Sequence, residues 1–68
     1  MNNKFPIKDA TGKMWGWVQI DANGDKKATD YKGKIVGYYK VFNNATYDYK
    51  GKLIAWGDVV GSLIKIGN

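Results

Sequence analysis

The chain contains no cysteine, histidine, arginine or glutamate, and only one proline and one serine among its 68 residues. Each gap removes a class of chemistry. Without cysteine there are no disulfides and no thiolate metal ligands, so a small fold must be held together by its core. Without histidine or glutamate, acid–base work falls to Asp, Lys or Tyr, whose ordinary pKa values lie roughly three units either side of neutrality. No nucleophile–base set can be assembled around the lone Ser62. The chain therefore reads as a non-enzyme that needs no cofactor. Asp21-Ala22-Asn23-Gly24-Asp25 offers oxygen atoms at alternate positions like the start of a calcium loop, but the downstream bidentate Glu is absent, so a plain turn and no metal are expected. No Gly-rich phosphate cradle occurs, because the Gly-Lys pairs fall in hairpin turns.

What is present is lysine, aromatic rings and glycine. Eleven lysines face six aspartates, giving a net charge of +5 and a pI near 9.5, alongside ten aromatic residues and nine glycines. The length allows one domain, residues 1 to 68. Met1 to Pro6 contain no apolar segment of the signal-peptide kind, and no stretch approaches the roughly 18 residues that span a bilayer. A cytoplasmic protein without membrane insertion is expected.

The chain also repeats. Asp9-Ala10-Thr11-Gly12-Lys13-Met14-Trp15-Gly16-Trp17, Asp30-Tyr31-Lys32-Gly33-Lys34-Ile35-Val36-Gly37-Tyr38 and Asp48-Tyr49-Lys50-Gly51-Lys52-Leu53-Ile54-Ala55-Trp56 align without gaps. Each is Asp-x-x-Gly-Lys, two apolar residues, a small residue and then Trp or Tyr. Asp21 to Gly24 and Asp58 to Gly61 repeat the turn alone, so five of the six aspartates open an Asp-x-x-Gly. An Asp there accepts hydrogen bonds from amides two residues on, and the Gly tolerates the positive φ that ends a short hairpin loop.

Turns near residues 9 to 12, 21 to 25, 30 to 33, 42 to 45, 48 to 51 and 58 to 61 leave about seven strand-sized segments. They are rich in Val, Ile, Thr, Tyr and Trp, and glycine recurs too often for a ten-residue helix. An all-β meander built from three to four repeated hairpins is expected, as a closed or nearly closed flower or small barrel. Pro6 lacks a donor N–H, which puts the first strand at a sheet edge.

Strand alternation places Trp15, Val36 and Ile54 on one face with Trp17, Tyr38 and Trp56, the face expected to form the core. Three or more of Trp15, Trp17, Tyr38, Tyr39 and Trp56 are expected to be buried. The other face carries Met14, Ile35 and Leu53, the small set Gly16, Gly37 and Ala55, and Val18 with Tyr39. Two oily faces are more than so short a chain can bury, which points to closure, an oligomer or a binding patch. A neighbouring aromatic is expected to lie across the small positions.

The repeats resemble the four-fold β-flower family, small bacterial proteins built from short hairpins around a pseudo-symmetry axis. The matching positions are Gly12, Lys13, Gly16 and Trp17, then Gly33, Lys34, Gly37 and Tyr38, then Gly51, Lys52, Ala55 and Trp56. The chain departs from the family by having three clear copies instead of four. Asp58 to Ile64 is the candidate fourth, and a strand from Leu63 to Ile66 beside Phe5 to Lys8 would close the ring. The resemblance implies a fold and no catalytic residues.

Function is expected to be binding. Tyr31, Lys32, Tyr49 and Lys50 at hairpin tips, with Trp15, Trp17, Tyr38 and Trp56 where their rings are exposed, are the candidate contacts. A protein partner or self-assembly is the leading expectation. Nucleic acid is the first alternative, with lysines on phosphates and rings on bases, and the lack of Arg argues against sequence-specific reading. Saccharide stacking on exposed rings is the second.

Overall fold

Four of the five Asp-x-x-Gly segments close hairpins by one hydrogen-bond scheme. In the Asp30 turn, Oδ1 accepts from the amides of Lys32 (3.0 Å) and Lys34 (2.9 Å), while the Gly33 amide donates to the Asp30 carbonyl at 3.0 Å. Asp9, Asp21 and Asp48 hold their turns in the same way. Gly33 has φ +87°, a conformation that a residue with a Cβ enters only at a cost.

The computed structural model describes residues 3 to 64. Six strands, β1 (Asn3–Lys8), β2 (Met14–Ile20), β3 (Lys26–Asp30), β4 (Ile35–Lys40), β5 (Ala45–Asp48) and β6 (Leu53–Trp56), form one antiparallel meander in sequential order. The all-β expectation holds. A 3₁₀ turn, Val41–Asn43, joins β4 to β5, and Pro6 lies on β1 at the sheet edge. No helix among the described residues is long and apolar enough to cross a membrane.

Among the described residues, the place of a seventh strand is taken by something else. Asp58 to Gly61 closes no hairpin, because Asp58 pairs with Lys26 across the molecule and the chain enters a second 3₁₀ turn, Val60–Leu63. Val60, Leu63 and Ile64 recur at the spacing that puts side chains on one side of a helical turn, and that side packs on the sheet. Leu63 and Ile64 are thus not in a strand, while the rest of the expected closing strand, Lys65 and Ile66, lies outside the described residues. Among the described residues β1 pairs only with β2 and β6 only with β5, leaving the sheet open.

The small residues make room for this turn. At Gly37 a Cβ would lie 2.7 Å from the Tyr47 carbonyl and closer still to Leu63 Cδ1. At Gly16 it would lie 3.0 Å from Ile64 Cγ2 and closer still to the Thr29 carbonyl. Aliphatic side chains from the end of the chain, and not a neighbouring aromatic, therefore cross the small positions. Val60, 1% exposed, and Ile64 complete a core with Trp15, Val18 and Ala28, flanked by Val36 and Tyr39.

The expected core face is corrected by a repeated irregularity. Strand register slips by one residue between Ile7 and Lys8, between Ala28 and Thr29, and between Thr46 and Tyr47. The extra residues opposite these slips are Trp15, Val36 and Ile54, each the second apolar residue of its repeat. A bulge breaks the strict alternation that would keep them with Trp17, Tyr38 and Trp56. Trp15 and Val36 join the covered side with Gly16 and Gly37, whereas Trp17, Tyr38 and Trp56 stay on the other. Of the five large aromatics of which three or more are expected to be buried, only Trp15, 7% exposed, is.

Candidate functional site

The uncovered face is built in cross-strand rows, because paired residues of adjacent strands point the same way. Its central row runs Lys4, Gln19, Lys27, Tyr38, Tyr47 and Leu53, one residue from each strand in turn. Pro6, Trp17 and Thr29 flank it on one side, and Lys40, Ala45 and Trp56 on the other. Six strands about 4.8 Å apart make such a row roughly 24 Å long.

The 3₁₀ turn Val41–Asn43 folds over one corner of this face. Asn43 Nδ2 donates to the Tyr47 hydroxyl, Ala45 is fully covered, and Phe42 is carried outward, 84% exposed. Asp25 fixes the turn: its Oδ1 accepts from the Val41 amide at 3.0 Å, and its Oδ2 lies 3.6 Å from Lys40 Nζ. The Val41 hydrogen bond, aided by Asn23 and Lys40, holds the Asp25 carboxyl below the usual carboxylate range against a smaller opposing effect of burial. An open groove of about 480 Å³ results, lined by Tyr38, Lys40, Phe42, Tyr47, Tyr49 and Lys50. Tyr38 and Lys40 also border a second hollow that reaches Gln19 and Lys27.

Five of the eight residues singled out from sequence fall on this side and three do not. Tyr38, Tyr49 and Lys50 meet in the groove. Trp17 lies in the flanking row with Lys4 Nζ 4.3 Å from its ring centre, and Trp56 is 70% exposed at β6. Lys34 and Lys50 both stand over Tyr49, at 5.6 and 5.5 Å. Trp15 is turned away into the core. Tyr31 packs edge-on against it with ring centres 5.9 Å apart, and Lys32 stands over Tyr31. The Tyr31–Lys32 hairpin tip therefore lies on the opposite side of the sheet from Tyr49 and Lys50.

Phe42, Tyr47, Lys27 and Lys40 were missed by motif. They lie outside the repeat, and the Lys40 to Asn44 link carries no Asp-x-x-Gly to mark it. The available signal was alternation, since Tyr38 and Lys40 share a face, as do Ala45 and Tyr47.

The carboxylates are already engaged. Asp9, Asp21, Asp30 and Asp48 accept from turn amides, Asp58 pairs with Lys26, and Asp25 holds Val41 and Lys40. Asp9 is bound most heavily: hydrogen bonds from the Thr11 hydroxyl and the Trp15 indole, then from the Thr11 and Lys13 amides, hold its pKa at about 2. Among the described residues, no carboxylate pairs with Lys4, Lys27 or Lys50. No group of three or more potential ligand side chains that could hold a metal ion occurs among them either. The face can thus offer flat rings and unneutralised ammonium groups, a combination suited to holding a partner. No family model, curated protein or solved structure matches the chain.

Proposed function

We propose that the protein is a non-catalytic binding module that holds an anionic partner on the uncovered face of its sheet. The observation that carries this reading is the division of the aromatics: one tryptophan is spent on the core, while Trp17, Tyr38, Phe42, Tyr47, Tyr49 and Trp56 share a side with lysines that lack carboxylate partners. A neutral sugar would use the rings and leave the ammonium groups without counter-charge. Self-assembly through this face is disfavoured, since a two-fold interface sets the same lysine-bearing patch against itself. The β-flower resemblance contributes only to the fold in this reading: three bulged hairpins repeat one design, and ring closure would require a strand between β1 and β6.

Retention on an immobilised polyanion tests the reading. Lys27→Gln and Lys50→Gln should elute at clearly lower salt than the parent. Lys13→Gln and Lys32→Gln remove the same charge from the side of Trp15 and Tyr31, and should elute closer to it. Equal shifts for both pairs would mean that net charge, and not this face, makes the contact.

A further inference from the structure

We infer that the anionic partner is single-stranded nucleic acid, laid along the central row with its bases in the groove between Tyr38 and Phe42. This rests on the binding reading above and adds the identity of the partner. An acidic protein surface would be met well enough by lysines alone. The face instead interleaves lysines with exposed rings in the way a strand of alternating phosphates and bases requires. Phe42 is the clearest case. It is carried outward on a turn that Asp25 pins from the neighbouring hairpin, and nothing in the core uses it. An exposed phenyl ring at the mouth of a groove lined by three tyrosines is a stacking platform, and stacking accepts any base.

The geometry also sets scale and selectivity. A row roughly 24 Å long suits a short site, near the lower end of the about 4 to 16 nucleotides held by small β-barrel folds. Lys4 and Lys27 lie in the row itself, and Lys40 and Lys50 border the groove. Lysine donates as a point charge, without the planar fork by which Arg reads guanine, so binding should tolerate any sequence. A paired duplex keeps its bases stacked on one another and cannot use the rings.

Fluorescence anisotropy of a labelled eight-nucleotide oligothymidine with the full chain tests this, beside the matching duplex and a polyglutamate of similar charge. Binding of the single strand should exceed that of the duplex and the polyglutamate. Its logarithm should fall linearly with the logarithm of salt concentration, with a slope of about −2 to −3 for three or four phosphate contacts. Phe42→Ala should weaken it by about 5- to 100-fold while leaving that slope unchanged. Lys27→Gln should flatten the slope by about 0.7. Circular dichroism of both variants would check that they fold. Polyglutamate bound as tightly as the oligonucleotide, with Phe42→Ala without effect and Lys27→Gln still weakening it, would overturn the nucleic-acid assignment and keep the anionic face. Binding insensitive to both substitutions would overturn the face as well.

Discussion

The indole Nε1 of Trp15 donates a 2.9 Å hydrogen bond to Oδ2 of Asp9, joining the one buried tryptophan to the first residue of its own hairpin turn. The same carboxylate holds the turn through Thr11 and Lys13, so local turn and shared core meet in one side chain. This link predicts acid sensitivity. The Asp9 pKa lies at about 2 in the fold against an ordinary 3.8, so the stabilising effect of its charge is present above the ordinary value and is lost as pH falls towards 2. The urea midpoint should decline over that window, and Asp9→Asn should make the decline shallower. A variant that declines as steeply as the parent would remove Asp9 from the explanation.

Gly37 is the tightest point between the sheet and the second 3₁₀ turn. A methyl group there must displace Leu63 and press on the backbone of β5, an overpacking that costs roughly 1 to 3 kcal/mol. Gly37→Ala should lower the melting temperature by on the order of 5 to 20 °C in a domain of this size. An unchanged melting temperature would mean that the turn does not depend on the missing side chain.

Gly33 and Gly61 separate backbone strain from crowding. A Cβ meets nothing within 4 Å at either, but only Gly33 has a positive φ. Gly33→Ala should destabilise by about 1 kcal/mol through the left-handed conformation alone, whereas Gly61→Ala should stay close to the parent. Thermal melts of the pair check this. Equal losses would contradict a conformational origin.

Thr46 is fully buried, donates through Oγ1 to the Gly57 carbonyl at 2.7 Å and accepts from the Val59 amide at 3.1 Å. Thr46→Val keeps the volume and leaves both backbone groups without that partner, a loss of about 1 to 3 kcal/mol. Thr46→Ser keeps the hydroxyl and should recover part of it. Chemical denaturation compares the two, and a valine variant at least as stable as the serine one would show that packing, and not the hydroxyl, holds the segment from Gly57 to Val59.

The hairpins were legible because their chemistry is local. An aspartate, a glycine three residues later and alternating apolar residues act within one turn of chain, and four of the five such turns formed as read. The candidate site was legible in part, with Trp17, Tyr38, Tyr49, Lys50 and Trp56 on the face that remains open. Trp15 was assigned to the face of Trp17 because a bulge adds one residue to the ladder, which alternation read without it does not count, whereas Tyr31 is exposed at its hairpin tip as expected but on the side of Trp15. Phe42 and Tyr47 were invisible to the repeat because they lie between its copies.

The sequence by itself determined that the chain is an all-β meander of short hairpins, positively charged and without histidine, cysteine or glutamate, since propensity, turn chemistry and composition need no distant partner. Only the tertiary structure decided which face is covered. That choice depends on Val60, Leu63 and Ile64 crossing Gly16 and Gly37 from the far end of the chain, contacts in which steric room matters more than hydrophobicity. The small face became the inside because it alone could admit another segment, and the large rings were left to meet whatever comes from outside.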